Sequence, residues 1–176
     1  MGLDASKFIP GDAKDKLPEF DDRCIDLVVT ASPGYREKGD DTSGDDSYSW
    51  NTFNDYINYM QDVFTEVYRM LKNMHYCIVV VGDENVVCGG EHNTSKRYPL
   101  PAYYTLLLES IGFTYAGECI WDKGCSKKSY RKNETPVYPF SVMPKQCCDH
   151  ILIFQKRELS NEPVPCPCCG GTDVKP

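Results

Sequence analysis

A chain of 176 residues suits one domain with a real core, and 41% hydrophobic with 12% aromatic content excludes a disordered chain. No apolar run approaches the roughly 20 residues a membrane-spanning helix needs. The net charge of −7 makes the chain a poor general polyanion binder, because phosphate contacts need cations.

The charge is uneven. Residues 1–66 carry 15 acids and 6 bases, whereas residues 67–176 carry 11 acids and 13 bases. The N-terminal Met1-Gly2-Leu3-Asp4 has neither the basic nor the apolar region of a signal peptide, so a cytoplasmic location is expected. Ten cysteines fit that reducing compartment, since Cys24, Cys77 and Cys119 sit in or beside apolar runs where a thiol acts as a small hydrophobe.

In chain order, a possible short strand at 7–10 precedes Gly11-Asp12-Ala13. Cys24 to Thr30 (CIDLVVT) is a β-branched apolar run ending in Ala31-Ser32-Pro33-Gly34-Tyr35, a Pro-Gly turn signal. That combination predicts a buried strand delivering a loop at its carboxyl end. Gly39 to Ser49 is rich in Asp, Gly and Ser, which suits a lid or a substrate-contacting loop.

Phe53, Tyr56, Ile57, Met60, Val63, Phe64, Val67 and Met70 recur at helical spacing. They predict a helix over 52–71, capped by Asn51 or Thr52 and ended near Asn73. Tyr76 to Val81 is a second buried strand ending in Gly82-Asp83. Pro101 to Ile111 reads as a helix stopped by Gly112, and Phe113 to Trp121 and His150 to Phe154 supply two more strands. The alternation predicts an α/β domain with a mostly parallel sheet; periodicity leaves the pairing of the last strands open.

Between the last two strands, Lys123, Lys127, Lys128, Arg131 and Lys132 form a basic run with only neutral residues between them, able to guide a nucleic-acid backbone. At the C-terminus, Cys166-Pro167-Cys168-Cys169-Gly170 has the form of a zinc-ribbon knuckle with Cys166 and Cys169 as metal ligands. Such knuckles come in pairs, and no second one follows.

The strand followed by Ser32-Pro33-Gly34-Tyr35 resembles the hallmark of DNA methyltransferases that modify exocyclic amino groups. That hallmark is an Asp, Asn or Ser, then Pro-Pro, then an aromatic. The resemblance extends through Ile9-Pro10-Gly11-Asp12-Ala13, Leu17-Pro18, Tyr68-Arg69-Met70-Leu71-Lys72, Ile120-Trp121-Asp122-Lys123 and Asp149 to Lys156, in the family's order.

It implies a Rossmann-like methyltransferase sheet with helices on both faces, incomplete here. Residues 1–157 would be the catalytic, target-base-binding part, and 158–176 a linker and the start of a zinc-ribbon-like segment. It implies S-adenosyl-L-methionine as cofactor, DNA as partner and, in the Ser form, cytosine-N4 as the favoured target. Ser32 and the Pro33 carbonyl would accept the amine's hydrogens, Tyr35 would stack on a flipped base, and Asp12 with Ala13 would lie beside the cofactor adenine.

The sequence departs from the pattern at Gly34, where a second proline is usual, and at Ala31, which adds a residue after Thr30. The family's Gly-rich cofactor loop, Phe-x-Gly-x-Gly after a strand, has no counterpart. The expectation is therefore a fragment, or a chain completed by a second chain, with a restriction endonuclease a further expected partner. The alternative is a non-catalytic DNA- or partner-binding module on a degenerate methyltransferase fold.

Overall fold

The computed structural model describes residues 8–35, 50–88, 94–124 and 147–158. A one-turn helix α1 (Ala13–Lys16) and a 3-10 turn (Leu17–Glu19) lead into β1 (Ile25–Ala31), then α2 (Phe53–Met70) and β2 (Leu71–Val81). A hairpin of β3 (Glu84–Cys88) and β4 (Thr94–Tyr98) precedes α3 (Leu100–Ile111), β5 (Phe113–Asp122) and β6 (Cys148–Lys156).

Local chemistry sets the helix limits. Thr52 caps α2 by accepting from the Asp55 amide while Asp55 accepts from the Thr52 amide, a reciprocal capping box. At its other end Leu71 turns directly into β2, so Asn73 does not cap the helix as expected. Instead Met74 takes a positive φ of 64°, and Asn73 Oδ1 accepts from the amides of Met74 and Glu158. Gly112, at φ 121°, ends α3 where a residue with a Cβ would be strained. Phe8 to Pro10 form no strand.

The four-stranded sheet has the order β1-β2-β6-β5. β1 pairs parallel to β2, and β6 runs antiparallel to both β2 and β5. The expectation of a mostly parallel sheet therefore fails by pairing, although β1, β2 and β5 share one direction. β6 inserts between β2 and β5 and reverses both of their ladders.

Helices on both faces are also not found among the described residues. The crossovers through α2 and α3 step the same way across the sheet, and right-handed crossovers in one direction lay their helices on one face. α2 and α3 accordingly pack together. Tyr56, Met60, Phe64, Val67, Tyr104, Leu107 and Leu108 enclose Cys77, Val79, Leu152 and Phe154 beneath them. On the opposite face Leu27 and Val29 are 54% and 62% exposed, with Tyr76 beside Leu27 on β2. β1 is an edge strand whose only described neighbour is β2.

Lys156 is 2% exposed, yet its ammonium is satisfied. It donates to the carbonyls of Tyr68 (2.8 Å) and Leu71 (3.0 Å), pairs with Glu158 at 3.1 Å and faces the Tyr68 ring. It ties the end of the sheet to the end of α2. Cys24, Cys77 and Cys119 are free thiols, whereas Cys147 is disulfide-bonded, an exception to the expected reduced state.

Candidate active site

β1 runs one residue past the expected limit, with Ala31 paired to Val80, so the extra residue lengthens the strand rather than the loop. Ser32 and Pro33 follow at its carboxyl end. There they line a cleft of about 460 Å³ whose other walls include Ala13, Leu17, Val28, Tyr59, Met60 and Phe64. Ligands of open α/β folds bind at this carboxyl edge. The volume falls within the range of small-molecule sites.

Behind the cleft lies a chain of hydroxyls. Ser32 Oγ is hydrogen-bonded to the Tyr104 hydroxyl and lies 3.7 Å from Met60 Sδ. The Tyr104 and Tyr56 hydroxyls are 2.8 Å apart, and Tyr56 donates to the Pro33 carbonyl at 2.9 Å. Both tyrosines are fully buried. Burial pushes both phenols above their ordinary range, so they keep their hydrogens at any working pH.

Tyr35 does not offer its ring to a ligand. It is 2% exposed and wedged edge-on against Phe53 and Tyr98, each at 5.1 Å, with Tyr56 at 5.7 Å. The expected base-stacking role is therefore corrected to that of an anchor: the ring pins the loop that carries Ser32. Aromatic residues of α2 and β4 close around it because each buries more apolar surface that way.

Gly34 has a packing reason. A Cβ built there would collide with Glu84 Oε2, so the Glu84 carboxylate occupies the space a second proline would fill. Sequence reading missed Glu84 because it begins a hairpin whose strands carry no clear period. Tyr104 was legible only as one apolar position of a helix.

Of the adjacent pair Asp12 and Ala13, only Ala13 reaches the cleft. Ala13 lines it, while Asp12 caps α1 by accepting from the Lys14 amide at 2.8 Å and from the Tyr59 hydroxyl at 2.5 Å. Lys123 is tied to Asp149 at 2.6 Å. Lys127, Lys128, Arg131, Lys132, Cys166 and Cys169 lie outside the described residues, as does the whole of the expected lid. Among the described residues no group of three or more His, Cys, Asp or Glu can hold a metal. His150 lies within β6, its Nδ1 3.1 Å from Glu118, which is a structural placement.

Comparison with known proteins agrees with this geometry. Residues 25–163 match a family model described as DNA methylase. The Type II beta methyltransferase M.BslI of Bacillus sp. (strain NEB-606) is 28% identical over 155 residues, 85% of this chain and 16% of that protein. TTHA0409 of Thermus thermophilus, assigned as a DNA modification methylase and solved with S-adenosyl-L-methionine, is 24% identical with a TM-score of 0.61. The match covers 88% of this chain and 56% of that one. PvuII DNA methyltransferase, cytosine-N4-specific, is 18% identical with a TM-score of 0.53, covering 83% of this chain and 47% of that one. The two structures speak for the fold alone, and the chain spans only a part of each relative.

Proposed function

The chain belongs to the DNA methylase family of the N6 and N4 type, and from that membership we propose that it forms the target-base side of an S-adenosyl-L-methionine-dependent DNA amino-methyltransferase. One observation carries the reading: Ser32 and Pro33 follow a strand and line an apolar cleft, with their oxygens held by buried tyrosines.

The target amine is a weak nucleophile, because its lone pair is delocalised into the base ring. Two fixed acceptors at Ser32 Oγ and the Pro33 carbonyl take its two hydrogens and turn the lone pair toward the cleft. S-adenosyl-L-methionine, when bound, supplies a methyl group activated by its sulfonium. The residues present fit it. Leu17, Val28, Met60 and Phe64 give an apolar wall, and Ala13 is a small residue in the lining, with the Tyr59 hydroxyl and the Asp12 carboxylate bonded to it as polar partners for an adenine.

The Ser at position 32 favours cytosine-N4 over adenine-N6. The basic segment from Lys123 to Lys132 would track the DNA backbone, with Lys123 contributing least because Asp149 already holds it. The edge of β1, unpaired among the described residues, and the exposed side chains of Leu27 and Val29 support completion of the sheet by a further segment carrying the Gly-rich cofactor loop. A zinc ribbon at Cys166 and Cys169 belongs to the same reading, checked by metal analysis of the intact protein.

The test is transfer of a labelled methyl group from S-adenosyl-L-methionine to duplex DNA by the intact protein, with the product base identified. No incorporation by protein that binds the cofactor would overturn the proposal. The second reading, a non-catalytic module, is favoured by the Glu84 carboxylate in the place of a proline. It requires salt-dependent DNA binding without cofactor binding.

A further inference from the structure

We infer that Tyr56 and Tyr104 are positioning residues that turn Ser32 into a pure hydrogen-bond acceptor, so that the site selects a base presenting an amine and rejects one presenting a carbonyl oxygen. The inference rests on the amino-methyltransferase reading and deepens it.

The direction of each hydrogen follows from the end of the chain. A carbonyl can only accept, so Tyr56, 2.9 Å from the Pro33 oxygen, spends its single hydrogen there. Toward Tyr104, 2.8 Å away, Tyr56 is then an acceptor, and Tyr104 must donate. Tyr104 has no second hydrogen, so across its short contact with Ser32 the serine donates. Two other acceptors lie near Ser32 Oγ: the buried Tyr56 oxygen and Met60 Sδ at 3.7 Å, a weak acceptor that is itself buried. Full burial of both phenols keeps water from reversing the order.

Ser32 therefore presents only lone pairs to the cleft. The Pro33 oxygen keeps one lone pair beside the one Tyr56 occupies. Two acceptors side by side match an amine with two hydrogens. A keto oxygen placed there would face lone pairs with no donor, and an unmatched polar contact of this kind discriminates strongly.

The test compares Tyr104→Phe and Tyr56→Phe with wild type in the intact protein, by single-turnover methyl transfer to duplex DNA at saturating S-adenosyl-L-methionine. Tyr56 borders Ser32 as well as Tyr104, and its loss frees Tyr104 to donate to Ser32 and reverses the serine. Both variants should lose about tenfold or more in rate, with cofactor affinity changed less than about twofold. In a Ser32→Asp background, where the carboxylate accepts whatever Tyr104 does, the Tyr56→Phe penalty should shrink to about twofold or less.

Tyr56→Phe at the wild-type rate, or an undiminished penalty in the Ser32→Asp background, overturns the inference. Absence of transfer by wild type instead defeats the underlying reading. In that event neutron diffraction of the wild-type protein decides: a Tyr104 hydrogen aimed at Tyr56 supports the inference, and one aimed at Ser32 overturns it.

Discussion

The carboxylate of Glu84 lies against the α-carbon of Gly34, so the first residue of the β3–β4 hairpin and the loop after β1 share one space. The glycine is not demanded by backbone conformation, because its φ lies outside the left-handed region. It is demanded by its neighbour. Restoring the family's second proline with Gly34→Pro should cost about 1–2 kcal/mol, the range for an overpacked site with a movable side chain. Glu84→Ala should relieve part of that cost, leaving a coupling of at least about 0.5 kcal/mol in a double-mutant cycle by urea denaturation. Strict additivity would mean that the contact does not explain the glycine.

The buried phenols predict an alkaline limit. Tyr56 and Tyr104 titrate above the ordinary phenol value of 10.0, chiefly because burial disfavours the phenolate. The folded protein then holds protons that the unfolded chain has released once pH passes about 10. Their stabilisation is thus complete below that pH and is lost above it, at about 1.4 kcal/mol per pH unit for each phenol. Replacing either with Phe should flatten the alkaline edge in denaturation series taken across that window. An unchanged slope would mean that the phenol in question is not held protonated by the fold.

The elements were legible where one physical signal dominated. The 3.6-residue spacing from Phe53 to Met70 gave α2 within a residue or two of its limits, and the capping box at Thr52 and Asp55 fixed its start. The apolar runs gave β1, β2, β5 and β6. What the sequence hid depends on residues far apart in the chain. The reversal of β6 between β2 and β5 is a choice among pairings that share one alternation pattern. The burial of Tyr35 is decided by Phe53 and Tyr98, and the place of Gly34 by Glu84, 50 residues on in the numbering. Ser32 and Pro33 could be singled out by motif, but not the two tyrosines that orient them.

Lys156 offers a test of how β6 is held. Its ammonium is the donor for two carbonyls at the end of α2 and the start of β2, in a setting closed to water. Lys156→Met fills the same space with an apolar chain but leaves both carbonyls without that donor. The expected loss is about 2–4 kcal/mol by chemical denaturation, since the cost of unsatisfied buried acceptors outweighs the relief of desolvating one fewer charge. A neutral or stabilising result would show that water reaches the Tyr68 and Leu71 carbonyls.

The uncovered sheet face yields a prediction in which context reverses the outcome. Val29 projects from β1 on the side away from α2 and is 62% exposed, so Val29→Lys should shift the stability of the 176-residue chain by less than about 0.5 kcal/mol. Such a surface is unusual for a chain left alone, because Leu27, Val29 and Tyr76 leave an apolar patch in water. If a further segment completes the sheet beyond β1, the same lysine becomes an unpaired charge in a closed interface, a change worth several kcal/mol. Isothermal titration of S-adenosyl-L-methionine into the intact protein should then show at least about a tenfold loss of affinity for Val29→Lys. Equal affinity in wild type and variant would mean that this face stays open to solvent in the working protein, and that the cofactor site is finished elsewhere.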